Sequence, residues 1–264
     1  MVNIIVCTKQ VLDPETPVSG FVIDEDSVSI YSRLGTPPVL NGFDENAVEA
    51  ALRIKDSNNA DVTIISVGNN FVMDVMKKPI SMGADNLILV QGSEFENLDP
   101  FKTALILCSA IKKIGLPDLI LCGRQASDWD NSQVPLILAE LLNFTCLTLA
   151  QDITLESDTI NIERVIPDGY QILEASLPAL VTVSNELGEP RYPTLRGIIN
   201  AGKKDPQILS YNDLDIPLDD YKNNIITTKL SIPESEQDCE FIQGSDDEES
   251  GRLLAIKLRE AGLI

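Results

Sequence analysis

Short apolar runs alternate with segments of helical length through the first 150 residues of this chain, and this alternation constrains the fold more than any other feature. Four of the runs are rich in β-branched residues or leucine, as buried strands are. They are residues 3–8, 62–67, 86–90 and 118–122. The segments with apolar residues at helical spacing are 44–55, 71–82, 99–114 and 131–142. This order predicts an α/β fold with a doubly wound, mostly parallel, Rossmann-like sheet.

The sequence changes character between residues 145 and 183. Polar and apolar residues alternate over 158–165, 169–177 and 178–184, with turn residues such as Pro167-Asp168-Gly169 between the runs. Alternation with short turns is typical of antiparallel strands. We therefore expect an antiparallel strand addition at the edge of the sheet.

The C-terminal part of the chain is strongly acidic. Residues 213–249 hold twelve acidic and two basic side chains and few large apolar ones, which favours an extended arm. Residues 246–264 regain a helical pattern, and a short amphipathic helix of this kind docks either on a partner subunit or on the core of its own chain. The predicted organisation is a Rossmann-like nucleotide-binding domain over 1–205 and an extended acidic arm with a C-terminal helix over 206–264.

Composition excludes several classes of function. The formal net charge is −21, which argues against nucleic acid and anionic membranes as partners. The chain contains no histidine, so Ser/His and Cys/His nucleophilic pairs and His-ligated metal sites are excluded. The five cysteines are an odd number and widely spaced, as reduced thiols in a cytoplasmic protein are. The first residues are not a basic leader segment, and no apolar stretch approaches 18 residues, so we expect a soluble, cytoplasmic protein. We expect no metal.

The candidate ligand site lies in the loops that follow the predicted strands, because open α/β sheets bind ligands at the carboxyl edge. The most polar of these loops runs from Gly123 to Gln133 and leads into a helix, an arrangement that suits a phosphate or pyrophosphate. The alternative is that Asn131 or Ser132 simply caps the helix. No GxGxxG or GxxxxGK[ST] pattern is present, which argues against an ordinary dinucleotide site or P-loop.

The loop at 35–44 has the same two interpretations. Asn41-Gly42 allows a tight turn beside a ligand, whereas Asp44 is an adequate N-cap for the helix that follows. Gly68 permits either a close approach or a turn. Cys7, near the end of the first strand, is expected to be a core thiol rather than a reactive one.

Five blocks of the chain together resemble the beta subunit of electron-transfer flavoproteins. They are VCTKQV at 6–11, LNGFDENAVEAALRIKD at 40–56, LCGRQASDWDNSQVP at 121–135, IERVIPDGYQILEASLPALVTV at 162–183 and NELGEPRYPTLRGIINAGKK at 185–204. The blocks are colinear and extend over residues 1–205. The resemblance implies an adenine nucleotide alpha hydrolase-like fold and a heterodimer with an alpha subunit, which carries the flavin that shuttles electrons.

The resemblance also implies an adenine nucleotide in the beta subunit itself, either AMP or, in the electron-bifurcating branch, a second FAD. Carried over position by position, its contacts are Cys7, Asn41, Gly42, Phe43, Asp44, Val67, Gly123, Gln125, Asp128, Asp130, Asn131, Ser132, Gln133 and Val134. Arg124 and the sequence Asp168-Gly169-Tyr170-Gln171 are similar to the bifurcating branch and favour FAD. Phe43 is similar to the other branch, and Trp129 and Pro135 depart from the family pattern. AMP is therefore the alternative cofactor.

The function implied with FAD is electron bifurcation. NADH is the expected transient donor or acceptor, and electrons pass to a flavin dehydrogenase of the acyl-CoA or 2-hydroxyacid type and to a low-potential ferredoxin or flavodoxin. The flavin performs the chemistry, so no catalytic side chain is expected. With AMP, the subunit is a structural partner in a simple electron shuttle.

The resemblance assigns partner docking to the block 191–198. Arg191 and Leu195 would dock the dehydrogenase, since a leucine on an exposed loop is the kind of small hot spot that transient redox partners use. The acidic arm and terminal helix would wrap the alpha subunit. The rival from another class is a stand-alone nucleotide-binding module of the universal-stress type, which shares the parallel sheet and strand-end site.

Overall fold

The computed structural model describes residues 1–26, 28–33, 35–216, 223–232 and 239–264. It forms two compact units, Met1–Leu230 and Ser231–Ile264. The parts of the predicted arm at 217–222 and 233–238 lie outside the described residues.

The described strands and helices follow the predicted alternation. The strands are β1 (Val2–Cys7), β2 (Gln10–Val11), β3 (Phe21–Asp24), β4 (Ser29–Ser32), β5 (Val39–Leu40), β6 (Ala60–Gly68), β7 (Asn86–Gln91), β8 (Leu119–Gly123), β9 (Thr145–Glu156), β10 (Thr159–Ile166), β11 (Gly169–Ser176), β12 (Ala179–Val183) and β13 (Gln207–Leu209). The helices are α1 (Gly42–Ser57), α2 (Met73–Met76), α3 (Lys78–Met82), α4 (Pro100–Ile114), α5 (Val134–Leu142), α6 (Leu195–Lys203) and α7 (Asp247–Glu260).

The central sheet of the described chain has nine strands in the order β11-β10-β9-β12-β8-β1-β6-β7-β13. The strands from β9 through β12, β8, β1, β6 and β7 to β13 pair in parallel, whereas β10 pairs antiparallel with both β9 and β11. The remaining four short strands form two separate antiparallel pairs, β2 with β5 and β3 with β4. The predicted doubly wound, mostly parallel sheet with an antiparallel addition is confirmed.

Helices cover both faces of this sheet. On β1, Ile4 and Val6 pack in one apolar cluster with residues of α1, while Ile5 and Cys7 pack in a second cluster with residues of α4 and α5. Successive residues of a strand point to opposite faces, so a strand covered on both faces is apolar throughout. This explains why the first strand appears in the sequence as a continuous apolar run.

The prediction that residues 178–184 belong to the antiparallel addition is wrong. Strand β12 lies between β8 and β9, parallel to both, and all five of its residues are buried. Thr182 made the segment look alternating, but its hydroxyl is buried and accepts a hydrogen bond of 2.9 Å from the Leu149 backbone N–H. A satisfied hydroxyl is compatible with the centre of a sheet.

Two predicted helices have different bounds. The segment 71–82 is divided into α2 and α3, because Pro79 has no N–H to donate to the preceding turn. The segment 131–142 becomes helical only at Val134. The later start of α5 affects the candidate site, because residues 131–133 then belong to the loop that follows β8.

The beginning of the predicted arm is part of the first unit. Strand β13 pairs with β7, and Leu214 and Ile216, which follow this strand, are buried. In the second unit, α7 starts after Asp246, whose carboxylate accepts a hydrogen bond of 2.8 Å from the Glu249 N–H. The predicted C-terminal helix is therefore present. None of the described helices has the length and apolar composition required to cross a bilayer.

Candidate functional site

The sheet has its topological switch point between β1 and β8. From β1 the chain moves to β6 and β7 on one side and then returns to β8 on the other side. Cys7 and Cys122 are register partners at the carboxyl ends of β1 and β8. Crevices at such points are the usual ligand sites of open α/β sheets. We call this one the β1–β8 crevice; it is bounded by the loops after β1 and β8 and by the start of α1.

A buried carboxylate joins the two sides of the β1–β8 crevice. Asp44 accepts hydrogen bonds from the backbone N–H of Lys9, at 2.8 Å, and from that of Gly123, at 3.0 Å. It lies inside the first turn of α1, whose N-cap is Asn41. The capping interpretation of Asp44 is therefore wrong. Its role is to connect α1 to the ends of two strands.

Burial dominates the electrostatics of Asp44. Removal from water disfavours the charged carboxylate and raises the pKa of Asp44 to about 7, although the hydrogen bonds that it accepts and the charge of Lys9 oppose this shift. The carboxyl group therefore changes its charge near neutral pH. A carboxyl with a perturbed pKa in a crevice is a marker of functional sites.

Asn41 makes a second connection across the β1–β8 crevice. Its side chain is fully buried, donates to the Gln125 carbonyl at 2.8 Å and accepts from the Ser127 N–H at 3.1 Å. Since both polar atoms are used in this way, the side chain does not cap α1. The start of α1 is thus fixed to the loop after β8 rather than closed by its own N-cap residue.

Gly123 allows this close approach. A Cβ atom at this position would lie 2.5 Å from Asp44 Oδ1 and 2.7 Å from the backbone carbon of Phe43. Contacts this short do not occur without displacement of the backbone, so a side chain here would push α1 away from β8. The glycine is required by packing, and the same packing narrows the β1–β8 crevice.

The loop after β8 leaves the start of α5 open. The N-cap residue is Gln133, and it makes no side-chain capping bond. Asn131 and Ser132 are exposed and precede it, so the interpretation of either as the cap is wrong. Asp130 and Ser132 have left-handed φ values of 49° and 53°. Gln125 stabilises this backbone by bonds to Asp130, at 2.7 Å, and to Ser132, at 3.2 Å.

Among the residues that the structure describes, two cations lie in the loops around the β1–β8 crevice. The guanidinium of Arg124 is 5.2 Å from the centre of the Phe43 ring and donates to the Ser184 hydroxyl at 3.3 Å. Lys9 forms an ion pair of 2.7 Å with Asp128. Lys9 is not among the residues predicted from the sequence; its place directly after the first strand, two residues beyond Cys7, is the signal that points to it.

The structure thus brings the predicted nucleotide contacts to one edge of the sheet. Val67 is at the end of β6, which neighbours β1, and the others border the β1–β8 crevice on α1, on β1 or on the segment from Gly123 to Val134. The described residues contain no group of three or more His, Cys, Asp or Glu side chains arranged to hold a metal ion. At the β1–β8 crevice, α1 lies close to the backbone of Gly123, the start of α5 has no side-chain cap, and the ammonium group of Lys9 is partly exposed.

The predicted docking residues lie outside this crevice. Arg191 donates to Glu49 and to Asp56, each at 2.8 Å, and these bonds raise the pKa of Arg191 above its usual value. Leu195 begins α6 and is 76% exposed. Tyr192, Ile198 and Ile199 are exposed beside it, and we call these three residues and Leu195 the α6 patch. Arg191 therefore anchors the segment, while the apolar side chains face outward.

Comparison with known proteins places this architecture in a family. The sequence model of the family described as "Electron transfer flavoprotein domain" matches residues 28–214. The electron transfer flavoprotein subunit beta of Thermoanaerobacterium thermosaccharolyticum is 35% identical over 251 residues, which are 92% of this chain and 93% of that protein.

Two further relatives are named as parts of reductase systems. Subunit CarD of the caffeyl-CoA reductase-Etf complex of Acetobacterium woodii is 33% identical over 270 residues, covering 99% of this chain and 100% of that protein. The acryloyl-CoA reductase electron transfer subunit gamma of Anaerotignum propionicum is 35% identical over 220 residues, covering 82% of this chain and 80% of that protein.

Proposed function

The chain belongs to the electron transfer flavoprotein family, among its beta subunits, and we propose that it works in a heterodimer with an alpha subunit and holds an adenine nucleotide in the β1–β8 crevice. The family match over 28–214 leaves no support for the universal-stress-type alternative. The arm and α7 are proposed to contact the alpha subunit, because Leu254 and Ile256 of α7 are exposed apolar side chains.

The observation that carries this proposal is the open start of α5, at the end of the loop that follows β8. Free N–H groups at a helix N-terminus attract anions, and the helix dipole adds to this attraction. Here no side chain of the N-cap residue occupies these groups, and of the first two residues of the helix Val134 offers an N–H while Pro135 has none. The residues therefore fit the phosphate of an adenine nucleotide, held by the segment from Asp128 to Val134.

We propose FAD as this nucleotide, with AMP as the alternative. Arg124 supports FAD, because a guanidinium stacked on an aromatic ring gives a planar surface with positive charge at the border of the crevice. When bound, a flavin supplies hydride acceptance and one-electron transfer, and the chain contributes position and electrostatics.

The proposed role is electron bifurcation between NADH, a low-potential ferredoxin or flavodoxin, and a partner flavin dehydrogenase. The names of the Acetobacterium and Anaerotignum relatives favour a partner that acts on acyl-CoA compounds over one that acts on 2-hydroxyacids. The α6 patch is the proposed contact surface for this partner, with Arg191 as its positioning residue through Glu49 and Asp56.

An electron-transfer assay tests this role. The co-purified alpha–beta pair is mixed with NADH and ferredoxin, with and without the acyl-CoA dehydrogenase and its oxidised substrate. We expect reduced ferredoxin only when the dehydrogenase and the substrate are present, because the second electron needs the high-potential acceptor. NADH oxidation without any ferredoxin reduction would contradict bifurcation, and the absence of NADH oxidation would contradict the assignment of NADH.

A further inference from the structure

Lys9 is held by its backbone while its side chain extends across the β1–β8 crevice. Its N–H donates to Asp44 at 2.8 Å, and its carbonyl accepts from the Asn41 N–H at 2.9 Å. The ammonium group then reaches a carboxylate 119 positions later, with Nζ 2.8 Å from Asp128 Oδ1 and 2.7 Å from Oδ2. The side chain thus joins the loop after β1 to the loop after β8.

This ion pair lies in the loop that would receive a phosphate. Asp128 belongs to the segment that leads to the open start of α5 at Val134. A phosphate bound there would be repelled by the carboxylate at short range. Arg124 is engaged elsewhere, with Phe43 and Ser184, so Lys9 is the cation whose present partner is itself in the phosphate loop.

The pair can exchange partners at low cost. The Lys9 side chain is 43% exposed and that of Asp128 is 23% exposed. An ion pair with this exposure adds little net free energy, since water competes with both partners. A lysine has a long stem with free rotation and three N–H donors, so it can turn to a doubly charged oxyanion without any backbone movement.

We propose that Lys9 is a phosphate ligand of the nucleotide in the β1–β8 crevice, and that Asp128 holds the ammonium group at this position until the nucleotide binds. This inference rests on the proposed nucleotide site. It applies to AMP and FAD alike, because both carry phosphate on the adenosine. It also gives Asp128 a defined role, that of a competitor whose removal favours the anion.

Binding of AMP and of adenosine to the full-length chain tests the proposal by isothermal titration. Loss of one charge-assisted hydrogen bond is expected to weaken AMP binding to Lys9→Met by about 10- to 100-fold. Adenosine lacks the phosphate and should bind Lys9→Met as it binds the unmodified chain. Asp128→Asn should tighten AMP binding by about 2- to 5-fold, since a partly exposed competing charge is removed.

Two variants serve as controls. Lys55→Met removes the same charge from a half-buried ion pair with Asp85, at the opposite edge of the sheet, and should leave AMP binding unchanged. Lys9→Arg keeps a cation at the site and should restore most of the AMP affinity, whereas a purely structural defect in Lys9→Met would weaken AMP and adenosine binding alike. Equal AMP affinity for Lys9→Met and the unmodified chain, or an equal loss for AMP and adenosine, would overturn the proposal. If the unmodified chain binds neither compound, the proposed nucleotide site itself is contradicted.

Discussion

The Asp44 carboxylate accepts a hydrogen bond of 3.0 Å from the backbone N–H of Gly123, 79 residues further along the chain. The same carboxylate accepts a hydrogen bond from the N–H of Lys9, in the loop that follows β1. One buried side chain of α1 thus fixes both strands that border the β1–β8 crevice. The geometry of the proposed nucleotide site depends on this one group.

Replacement of Asp44 by Asn should destabilise the fold. Asn has one acceptor oxygen, so either the Lys9 N–H or the Gly123 N–H would face an amide donor in a buried place. An unsatisfied buried group costs about 1–3 kcal/mol. The free energy of unfolding from urea titration measures this loss, and an unchanged midpoint would show that the carboxylate does not hold the two loops.

The protonation of Asp44 gives this loss a pH dependence. Burial raises the pKa of Asp44 from its ordinary value of 3.8 to about 7 in the folded chain, so the folded state holds the proton more tightly than the unfolded state. The resulting stabilisation is complete below the unfolded pKa and is lost as the pH rises through the folded value.

We therefore expect the stability advantage of the unmodified chain over Asp44→Asn to decrease between pH 4 and pH 7, by at most about 1.4 kcal/mol per pH unit. Paired urea titrations at pH 5 and pH 7.5 measure this difference. A constant advantage at both values would mean that the pKa of Asp44 is not raised.

Gly123→Ala should destabilise the chain and weaken nucleotide binding. The added Cβ would meet Asp44 Oδ1 and the Phe43 backbone, and overpacking of this kind costs about 1–3 kcal/mol. Gly202→Ala, in α6 and away from the β1–β8 crevice, is the control, because a Cβ there has nothing within 4 Å. Thermal unfolding of the two variants should differ clearly, and equal melting temperatures would contradict the close approach of α1 to β8.

The sheet was predictable from the sequence because apolar periodicity is a local signal. The apolar runs at 3–8 and 118–122 correspond to β1 and β8. The right-handed crossovers then place the loops after these strands at the same edge of the sheet. The sequence pattern assigns residues 178–184 to the antiparallel addition because Thr182 lies between apolar residues, as in an alternating strand. No local pattern shows that the Leu149 N–H donates to its hydroxyl.

The candidate site was predictable in position but not in its contacts. From the sequence, Asn41 fits a tight turn and Asp44 fits an N-cap, but backbone N–H groups about 80 residues away determine what both side chains bind. Lys9 was missed for the same reason, since its partner Asp128 is distant in sequence. Side-chain bonds between loops depend on the assembled sheet and leave no periodic signal.

The segment at 223–226 should open more readily when Asn223 is replaced by Ala. The Asn223 side chain accepts from the Asp99 N–H at 2.8 Å and donates to the Asn97 carbonyl at 2.6 Å, while Asp99 accepts the Asn224 N–H at 2.6 Å. Loss of two hydrogen bonds of about 1 kcal/mol each predicts roughly 30-fold faster hydrogen exchange of the Asn224 amide.

Asn200→Ala, at an exposed position of α6, is the control for this measurement. Its effect on the Asn224 exchange rate should be nil, and the global free energy of unfolding should change little in either variant. Equal exchange rates in Asn223→Ala and the unmodified chain would show that Asn223 does not hold this segment.

Leu195→Ala should lower the rate of electron transfer to the partner dehydrogenase. The side chain is 76% exposed, so folding should not change, whereas loss of an interface hot spot typically reduces affinity by about 10-fold or more. Ile172→Ala is the control, since Ile172 is 71% exposed and lies on β11, at the end of the sheet opposite to β13. An equal kcat/KM for the two variants would contradict docking at the α6 patch.

The nucleotide content of the co-purified alpha–beta pair tests the central claim most directly. Acid-released ligands are separated and quantified by chromatography against FAD and AMP standards, relative to the amount of protein. The account predicts two FAD for each pair and no AMP, with one of the two FAD lost selectively in Gly123→Ala. One FAD and one AMP for each pair would contradict the bifurcating assignment, and a single FAD with no second nucleotide would contradict a nucleotide site in the β1–β8 crevice.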